Sequence, residues 1–263
     1  MKITPTEGYR VAFPTDEHHP YSDELARSVA LQIVQDFKPH LLTSGSDAID
    51  FYTISKFEKD PYRGKTIQAE INAFQVAQRE WNSAAPEARK VFIAGNHEDR
   101  LRRWVWRHSD MAGLDALLLQ NLLGLDALGV EYEEEMFSES YGKSEIDLGR
   151  LLIKHGTLVR KHSAYTARGE LEKEFYDVPV LFTGHTHRGG DHFATLRRGV
   201  HRAVECFCLC NMDPAYVDRP NWQQGLVIAT IYGTLVQVEP IPISETANGS
   251  RVAIWRDKLY NSE

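Results

Sequence analysis

The stretch Leu41–Tyr52, LLTSGSDAIDFY, changes character halfway along its length. It begins with apolar residues, as a buried strand does, continues with small polar residues, and then carries Asp47 and Asp50. Two carboxylates directly after a strand fit either an ordinary polar loop or a set of metal ligands. The pattern of the surrounding chain decides between these two interpretations.

Short apolar runs alternate with amphipathic helical patterns on both sides of this stretch. The predicted strands are YRVAF (9–13), HLLTS (40–44) and KVFIAG (90–95), and the predicted helices between them are SDELARSVALQIVQDF (22–37) and TIQAEINAFQVAQREWNSAAP (66–86). Strands that alternate with helices in this way are typical of an α/β fold with parallel strand pairing.

The second half of the chain is richer in strand patterns. They are RLLIKHG (150–156), VPVLFTGHTH (178–187), DHFATL (191–196), RAVECFCLC (202–210) and GLVIATIYGTLVQVEPI (225–241). The last of these predicts a hairpin around Tyr232–Thr234. We therefore predict one domain over residues 1–243, in which helices cover two sheets. It has a mainly helical insert at about 98–142, and a polar C-terminal tail follows at 244–263.

The composition is that of an ordinary globular protein, with 42% hydrophobic and 25% charged residues and a net charge of −7. This charge does not favour nucleic acid as a partner, although a local basic groove would allow it. We expect a cytoplasmic protein, because the sequence shows neither an apolar run of membrane-spanning length nor a secretory signal. The spacing of Cys206, Cys208 and Cys210 favours one shared strand face and core packing over metal ligation.

Residues that can bind metal ions recur where five predicted strands end. They are Asp16 and His18, Asp47 and Asp50, Asn96, His97 and Glu98, His155, and His185 and His187. Each cluster alone has a structural explanation, such as capping a turn. Five clusters in the same position favour one shared site, because the carboxyl ends of strands form the ligand crevice of α/β sheets. Carboxylate, amide and imidazole donors suit divalent first-row metals.

The chain resembles the calcineurin-like metallophosphoesterases through five motifs in matching order and spacing, DEH (16–18), SDAID (46–50), GNHE (95–98), HG (155–156) and GHTH (184–187). The resemblance covers about residues 11–188. It implies an αββα sandwich, with two mixed β-sheets flanked by helices, in which residues 1–243 are the catalytic domain. GNHEDRLRRW and RPNWQQG are similar to a branch common in bacteriophages and prophages, which would place the protein in a host cytoplasm.

The resemblance also implies a site for two divalent metal ions, with Mn²⁺ expected first and Fe, Zn, Ni or Mg as alternatives. It assigns Asp16, His18 and His187 to the first metal, Asn96, His155 and His185 to the second, and Asp47 to both. A hydroxide that bridges the metals would attack a phosphate mono- or diester. His97 would assist the leaving group, and Asp50 would orient His97 and keep it protonated.

One position departs from the family pattern. Ser46 precedes the bridging Asp47, where the family usually has glycine, a residue that tolerates unusual backbone dihedrals. This difference puts full metal binding and activity in question. His19 is ambiguous as well, since the spacing of the motif selects His18 as the ligand and leaves His19 either structural or lining the pocket.

Several arginines are candidate substrate contacts, because guanidinium groups match phosphate oxygens. Arg100, Arg103 and Arg107 follow His97 at helical spacings, although a solvated helix face explains them as well. Arg160 and Arg168 lie near a predicted helix start after the HG motif. We carry Arg100, Arg160 and Arg168 forward as candidate substrate residues.

Three functions are compatible with the sequence. The first is a phosphoesterase that acts on a small or soluble phosphate ester. The second is a metal-dependent DNA or RNA nuclease, which uses the same chemistry but needs a basic track beside the site. The third is a binding module with a decayed site, for which Ser46 is the only support.

Overall fold

Strands and helices alternate through the first hundred residues, as the periodicity predicts. In the computed structural model, which describes residues 1–63, 65–133, 140–214 and 219–262, they are β1 (Tyr9–Phe13), α1 (Glu24–Phe37), β2 (Leu41–Gly45), α2 (Ile67–Ala84) and β3 (Arg89–Ile93). Helix α1 begins after Asp23, whose carboxylate accepts the N–H groups of Leu25 and Ala26.

The remaining helices and strands include the predicted strands in their predicted order. They are α3 (Asp99–Arg107), α4 (Leu119–Leu123), β4 (Glu145–Asp147), β5 (Leu151–Lys154), α5 (Tyr165–Lys173), β6 (Val180–Thr183), β7 (Gly189–Leu196), β8 (Gly199–Cys206), β9 (Gln224–Tyr232), β10 (Leu235–Glu245), β11 (Arg251–Trp255) and β12 (Lys258–Asn261). Strands β4, β11 and β12 were not predicted. The hairpin predicted near Tyr232–Thr234 joins β9 to β10. None of the helices in the described residues is long and apolar enough to cross a membrane.

The strands form two mixed sheets. The larger has the order β12-β11-β10-β9-β1-β2-β3, with β1, β2 and β3 parallel, and the smaller has the order β4-β5-β6-β8-β7, with β5, β6 and β8 parallel. The candidate ligands come directly after the carboxyl ends of parallel strands in both sheets.

A layer of buried apolar side chains fills the space between the two sheets, with Phe13 and Val91 from the larger sheet and Ile153 and Phe182 from the smaller. Helices α1 and α2 cover the outer face of the larger sheet, and α5 covers the outer face of the smaller. The predicted αββα sandwich, with two mixed sheets flanked by helices, is confirmed.

The segment 244–263, predicted as a C-terminal tail, belongs to the larger sheet up to Asn261. The end of β10 and both β11 and β12 lie in it, and Trp255 packs edge-on against Phe37 of α1 with ring centroids 5.9 Å apart. Its two-residue turn, Arg256–Asp257, has positive φ at both positions and contains no glycine. The sequence signal of a hairpin is therefore weak there.

Candidate metal centre

The side chains that follow five strand ends meet at one edge of the two sheets. Residues from β1, β2 and β3 of the larger sheet face residues from β5 and β6 of the smaller. The first contact across the sheets joins His18 to His187, whose Nε2 atoms lie 2.9 Å apart. The second joins Asn96 to His155, with 2.9 Å between Oδ1 and Nε2.

The first group consists of Asp16, His18 and His187, all of them buried. The Nε2 atom of His187 is 3.2 Å from Oδ1 of Asp16, and Nε2 of His18 is 3.8 Å from the same oxygen. Two imidazole nitrogens that face each other at 2.9 Å require a proton or a cation between them. The structure thus brings the three residues predicted for the first metal together.

The second group consists of Asn96, His155 and His185. The Nε2 atom of His155 lies 2.9 Å from the amide oxygen of Asn96 and 3.1 Å from Nδ1 of His185.

Glycine is required at two places around the centre. A Cβ on Gly95 would lie 2.2 Å from Oδ1 of Asp47, and a Cβ on Gly184 would lie 2.5 Å from Oδ2 of Asp16.

Asp47 lies between the two groups. Its Oδ2 atom is 3.3 Å from Nε2 of His155 and 3.9 Å from Nε2 of His18. Its Oδ1 atom accepts the backbone N–H of His97 at 2.7 Å, which holds the carboxylate in place. This position suits the bridging role that the resemblance implies, and the assignment of the seven ligands stays a prediction.

The residues present fit divalent metal ions. Ligands that are 2.0–2.2 Å from one ion are about 3.0–3.5 Å from one another. The closest donor pairs in both groups are 2.9–3.3 Å apart. The donors are carboxylate, amide and imidazole groups, and first-row divalent ions bind such sets without a thiolate.

The carboxylates and imidazoles of the centre shift each other's pKa values toward the charged forms at Asp16 and His187. Burial alone would raise the pKa of Asp16, but His187 and His18 outweigh it and hold that pKa well below its usual range. Burial alone would lower the pKa of His187, but Cys210 and Asp16 outweigh it and raise it to about 9. For His185 burial prevails, together with the charge of His155, and lowers the pKa to about 4.

His97 lies beside the centre with its ring between Asp50 and Arg100. Its Nδ1 atom is 3.0 Å from the carbonyl oxygen of Asp50 and 3.5 Å from Oδ2, and the orienting role of Asp50 stays a prediction. The Nη2 atom of Arg100 is 2.8 Å from Nε2, and because guanidinium only donates, that nitrogen must accept. Burial, opposed by Asp47, lowers the pKa of His97. The expected protonated ring is therefore not the form that this geometry supports.

Ser46 adopts the conformation for which glycine is usual. Its φ is 57°, in the left-handed region, and its Oγ atom lies 2.9 Å from Nδ1 of His155 and 2.7 Å from Oγ1 of Thr15. Asp16, His18 and Asp47 also have positive φ values. Such strain is concentrated at functional sites because the surrounding structure must hold it.

Glu98 is buried, and it belongs to the clusters that follow the predicted strands, although the family resemblance assigns it no role. Its carboxylate accepts the N–H groups of Gly95 at 2.6 Å, Asp47 at 3.1 Å and Ile49 at 3.3 Å. Burial and the charge of Asp47 raise its pKa to about 7. The GNHE motif indicates that Glu98 needs hydrogen-bond donors, because it places a carboxylate inside a loop of candidate ligands. Two of these donors, Asp47 and Ile49, lie in a loop that is distant in sequence.

The other residues singled out in the sequence lie at various distances from the centre. His19 turns away from it, with Nε2 3.0 Å from Glu17, and is structural. Arg168 lies on the surface of α5, where it pairs with Glu172, and Arg160 is exposed in the preceding loop. Arg160 and Arg168 line neither of the cavities that adjoin the metal centre.

The three cysteines are buried, as expected for core packing, but Cys208 and Cys210 lie beyond the end of β8, where their Sγ atoms and a ring nitrogen of His187 come within 4.8 Å of one another. Strand β8 ends at Cys206, and Phe207 has a φ of 68°, which interrupts the alternation of side chains. The Sγ atom of Cys210 lies 3.6 Å from Nδ1 of His187. It therefore packs against a candidate ligand from the side opposite Asp16.

The sequence matches no protein-family model and no curated protein. Similar solved structures include Vps29 from Entamoeba histolytica complexed with Zn²⁺, with 15% identity, 97% of this chain and 99% of that chain covered, and a TM-score of 0.44. Vps29 from Chaetomium thermophilum has 9% identity, covers 96% of this chain and 95% of that chain, and has a TM-score of 0.44. Likenesses this distant say nothing about the function of the chain.

Proposed function

We propose that this protein is a metal-dependent phosphoesterase that hydrolyses phosphate mono- or diesters, as the calcineurin-like metallophosphoesterases do. One observation carries the proposal. Two groups of metal-binding side chains, centred on Asp16 and on His155, come from the strand ends of both sheets and share Asp47 between them. A set of buried carboxylates and imidazoles at strand ends destabilises the folded state unless a charged ligand compensates their desolvation.

The chain would hold two divalent ions, with Mn²⁺ our first expectation and Fe, Zn, Ni or Mg as alternatives. When bound, such ions lower the pKa of water and offset the charge of a phosphoryl group. Around them the protein supplies fixed charge: the guanidinium of Arg100, held by Asp50 at 2.9 Å, stands against the ring of His97. The remaining N–H groups of Arg100 can stabilise negative charge on a leaving oxygen next to the centre, and the ring of His97 holds the guanidinium in place.

Turnover of simple chromogenic esters tests the proposal. Protein purified with Mn²⁺ should release nitrophenolate from 4-nitrophenyl phosphate or from bis(4-nitrophenyl) phosphate, and a chelator should abolish the release. The matched control is Asp47→Asn, which keeps the size of the side chain but removes the shared negative charge. Absence of metal-dependent release from either ester would overturn the proposal.

A nucleic-acid phosphodiesterase is the second candidate, because cationic side chains line a cavity beside the centre. Assays with single- and double-stranded DNA separate it from the first. Cleavage of DNA far faster than turnover of the nitrophenyl esters would favour the nuclease.

A further inference from the structure

A cavity of about 200 Å³ opens next to the metal centre on the side of α3. Four cationic side chains line it, namely Lys56, Arg100, Arg103 and Arg107. The candidate ligand Asn96 and Tyr141 line it as well. None of the described residues that line the cavity is acidic. The cavity is therefore a concentration of positive charge on a protein whose net charge is −7.

Three contacts place this cavity directly beside the candidate ligands. Asn96 itself lines the cavity and contacts His155. The ring of Tyr141 has its centroid 6.1 Å from that of His155. Arg100 reaches Nε2 of His97 at 2.8 Å. A group bound in the cavity would be a neighbour of a group bound at the metal centre.

The arginines are held in position from behind. Arg100 donates to the carboxylate of Asp50 at 2.9 Å, Nε of Arg103 donates to buried Asp99, and Arg107 reaches a main-chain carbonyl oxygen at 3.4 Å. Each contact uses only part of a guanidinium group, which carries five N–H donors. Side chains fixed in this way lose little entropy when they bind an anion.

A lysine beside the cavity responds to this positive charge, and a tyrosine adds a neutral donor. Burial, together with Arg100 and Arg107, lowers the pKa of Lys59. The phenol of Tyr141, which is neutral near pH 7, lines the same cavity and can donate a hydrogen bond. The cavity thus offers cations and a neutral donor, which are the groups that bind phosphate oxygens.

We propose that this cavity binds a second phosphate group of the substrate, next to the phosphate that is hydrolysed. The inference rests on the proposed function, which places the reacting phosphate at the metal centre. Pockets for drug-sized ligands span roughly 300–1,000 Å³, so a cavity of about 200 Å³ suits a single small group. Substrates of this chemistry include nucleoside bisphosphates and single-stranded oligonucleotides, which share a phosphate beside the scissile one.

Two compounds that differ only in the second phosphate test the inference. They are thymidine 5′-(4-nitrophenyl phosphate) and the same compound with a 3′-phosphate, both of which report hydrolysis as nitrophenolate. We expect the 3′-phosphate to raise kcat/KM by about tenfold, mainly through KM, as one or two charge-assisted hydrogen bonds would. An oligothymidylate in a third arm shows whether further nucleotides add to this preference.

The double variant Arg103→Gln, Arg107→Gln should bring the ratio of the two kcat/KM values close to one, and the ratio corrects for any change in basal turnover. Its matched control is Arg198→Gln, which removes an exposed arginine from the turn between β7 and β8. The control should keep the preference. Circular dichroism of both variants checks that they fold.

A binding measurement separates failure of the inference from failure of the proposed function. Calorimetric titration with thymidine 5′-phosphate and thymidine 3′,5′-bisphosphate should show tighter binding of the bisphosphate to the wild type, but not to the double variant. If the preference in binding is present without turnover, the second-phosphate site stands and the hydrolytic function falls. Equal binding and equal turnover of each pair, or a preference that survives in the double variant, would overturn the inference.

Discussion

Ser46 combines a conformational cost with a contact to a candidate ligand. Its φ of 57° costs a residue other than glycine roughly 1–3 kcal/mol. Its Oγ atom, however, lies 2.9 Å from Nδ1 of His155. Because Nε2 of His155 faces Asn96 and Asp47, this contact fixes the ring with the ligating nitrogen toward the centre.

Two substitutions of Ser46 should separate the cost from the contact. Ser46→Gly removes both, so we expect equal or higher thermal stability but about tenfold weaker binding of Mn²⁺ at the second site. Ser46→Ala keeps the strain and loses the contact, so it should lower both stability and affinity. Calorimetric titration with Mn²⁺ and thermal melts in chelator measure the two effects. Undiminished binding of both ions by Ser46→Gly would show that the contact with His155 has no part in ligation.

Asp47 and His97 should fail in different ways, because one lies among the candidate ligands and the other beside them. We expect Asp47→Asn to lose bound metal as well as activity, since the shared charge disappears. His97→Ala should keep its metal content but lose about 10²–10³-fold in kcat, because Arg100 loses the ring nitrogen that holds its guanidinium in place. Metal analysis of the purified variants, with nitrophenyl ester turnover, tells the two outcomes apart. Loss of both ions from His97→Ala would mean that the ligand assignment is wrong.

At the scale of elements, the loops after β2 and β3 are held together by Glu98. Its carboxylate accepts N–H groups from both loops, at Gly95 and at Asp47. Glu98→Gln should lower the free energy of unfolding by about 1–3 kcal/mol, because an amide cannot accept with both of its heavy atoms. Urea unfolding in chelator measures this loss. Glu172→Gln on the exposed face of α5 is the matched control, and an equal effect of both changes would contradict the role of Glu98.

The strands that carry the ligands were predictable, whereas the contacts between their loops were not. Apolar runs that end in Asp or His marked β1, β2, β3, β5 and β6, because burial on both faces gives parallel strands a continuous apolar pattern. The contacts of Ser46 with His155 and of Glu98 with Asp47 depend on which loops meet in space. Strands β11 and β12 were not predicted, because their turn contains Arg256 and Asp257 and no glycine.

At the scale of the whole molecule, net charge is a poor guide to the surface beside the site. The value of −7 argued against an anionic polymer as a partner. Yet Arg100, Arg103 and Arg107 follow one another at helical spacing, so α3 presents them on one face toward the same cavity. We therefore expect the local field at this cavity, more than the total charge, to decide which anion binds there.

Metal binding should stabilise the whole fold, since the candidate ligands come from both sheets. A ligand that binds only the folded state raises stability by RT ln(1 + [L]/Kd), and a chelator removes that gain. We therefore expect Mn²⁺ to raise the melting temperature of the wild type, and to raise that of Asp47→Asn much less. Differential scanning fluorimetry with Mn²⁺ or with chelator measures the shift.

The size of this shift should grow between about pH 6.5 and pH 9. His187 has a pKa of about 9 in the folded chain and about 6.5 when unfolded, so without metal its proton stabilises the fold below pH 6.5. That stability is lost as the pH rises through 9. Metal competes with the same proton, so binding strengthens over the same range in which the metal-free chain weakens. A shift in melting temperature that is equal at pH 6.5 and pH 9 would contradict the competition between the metal and the proton of His187.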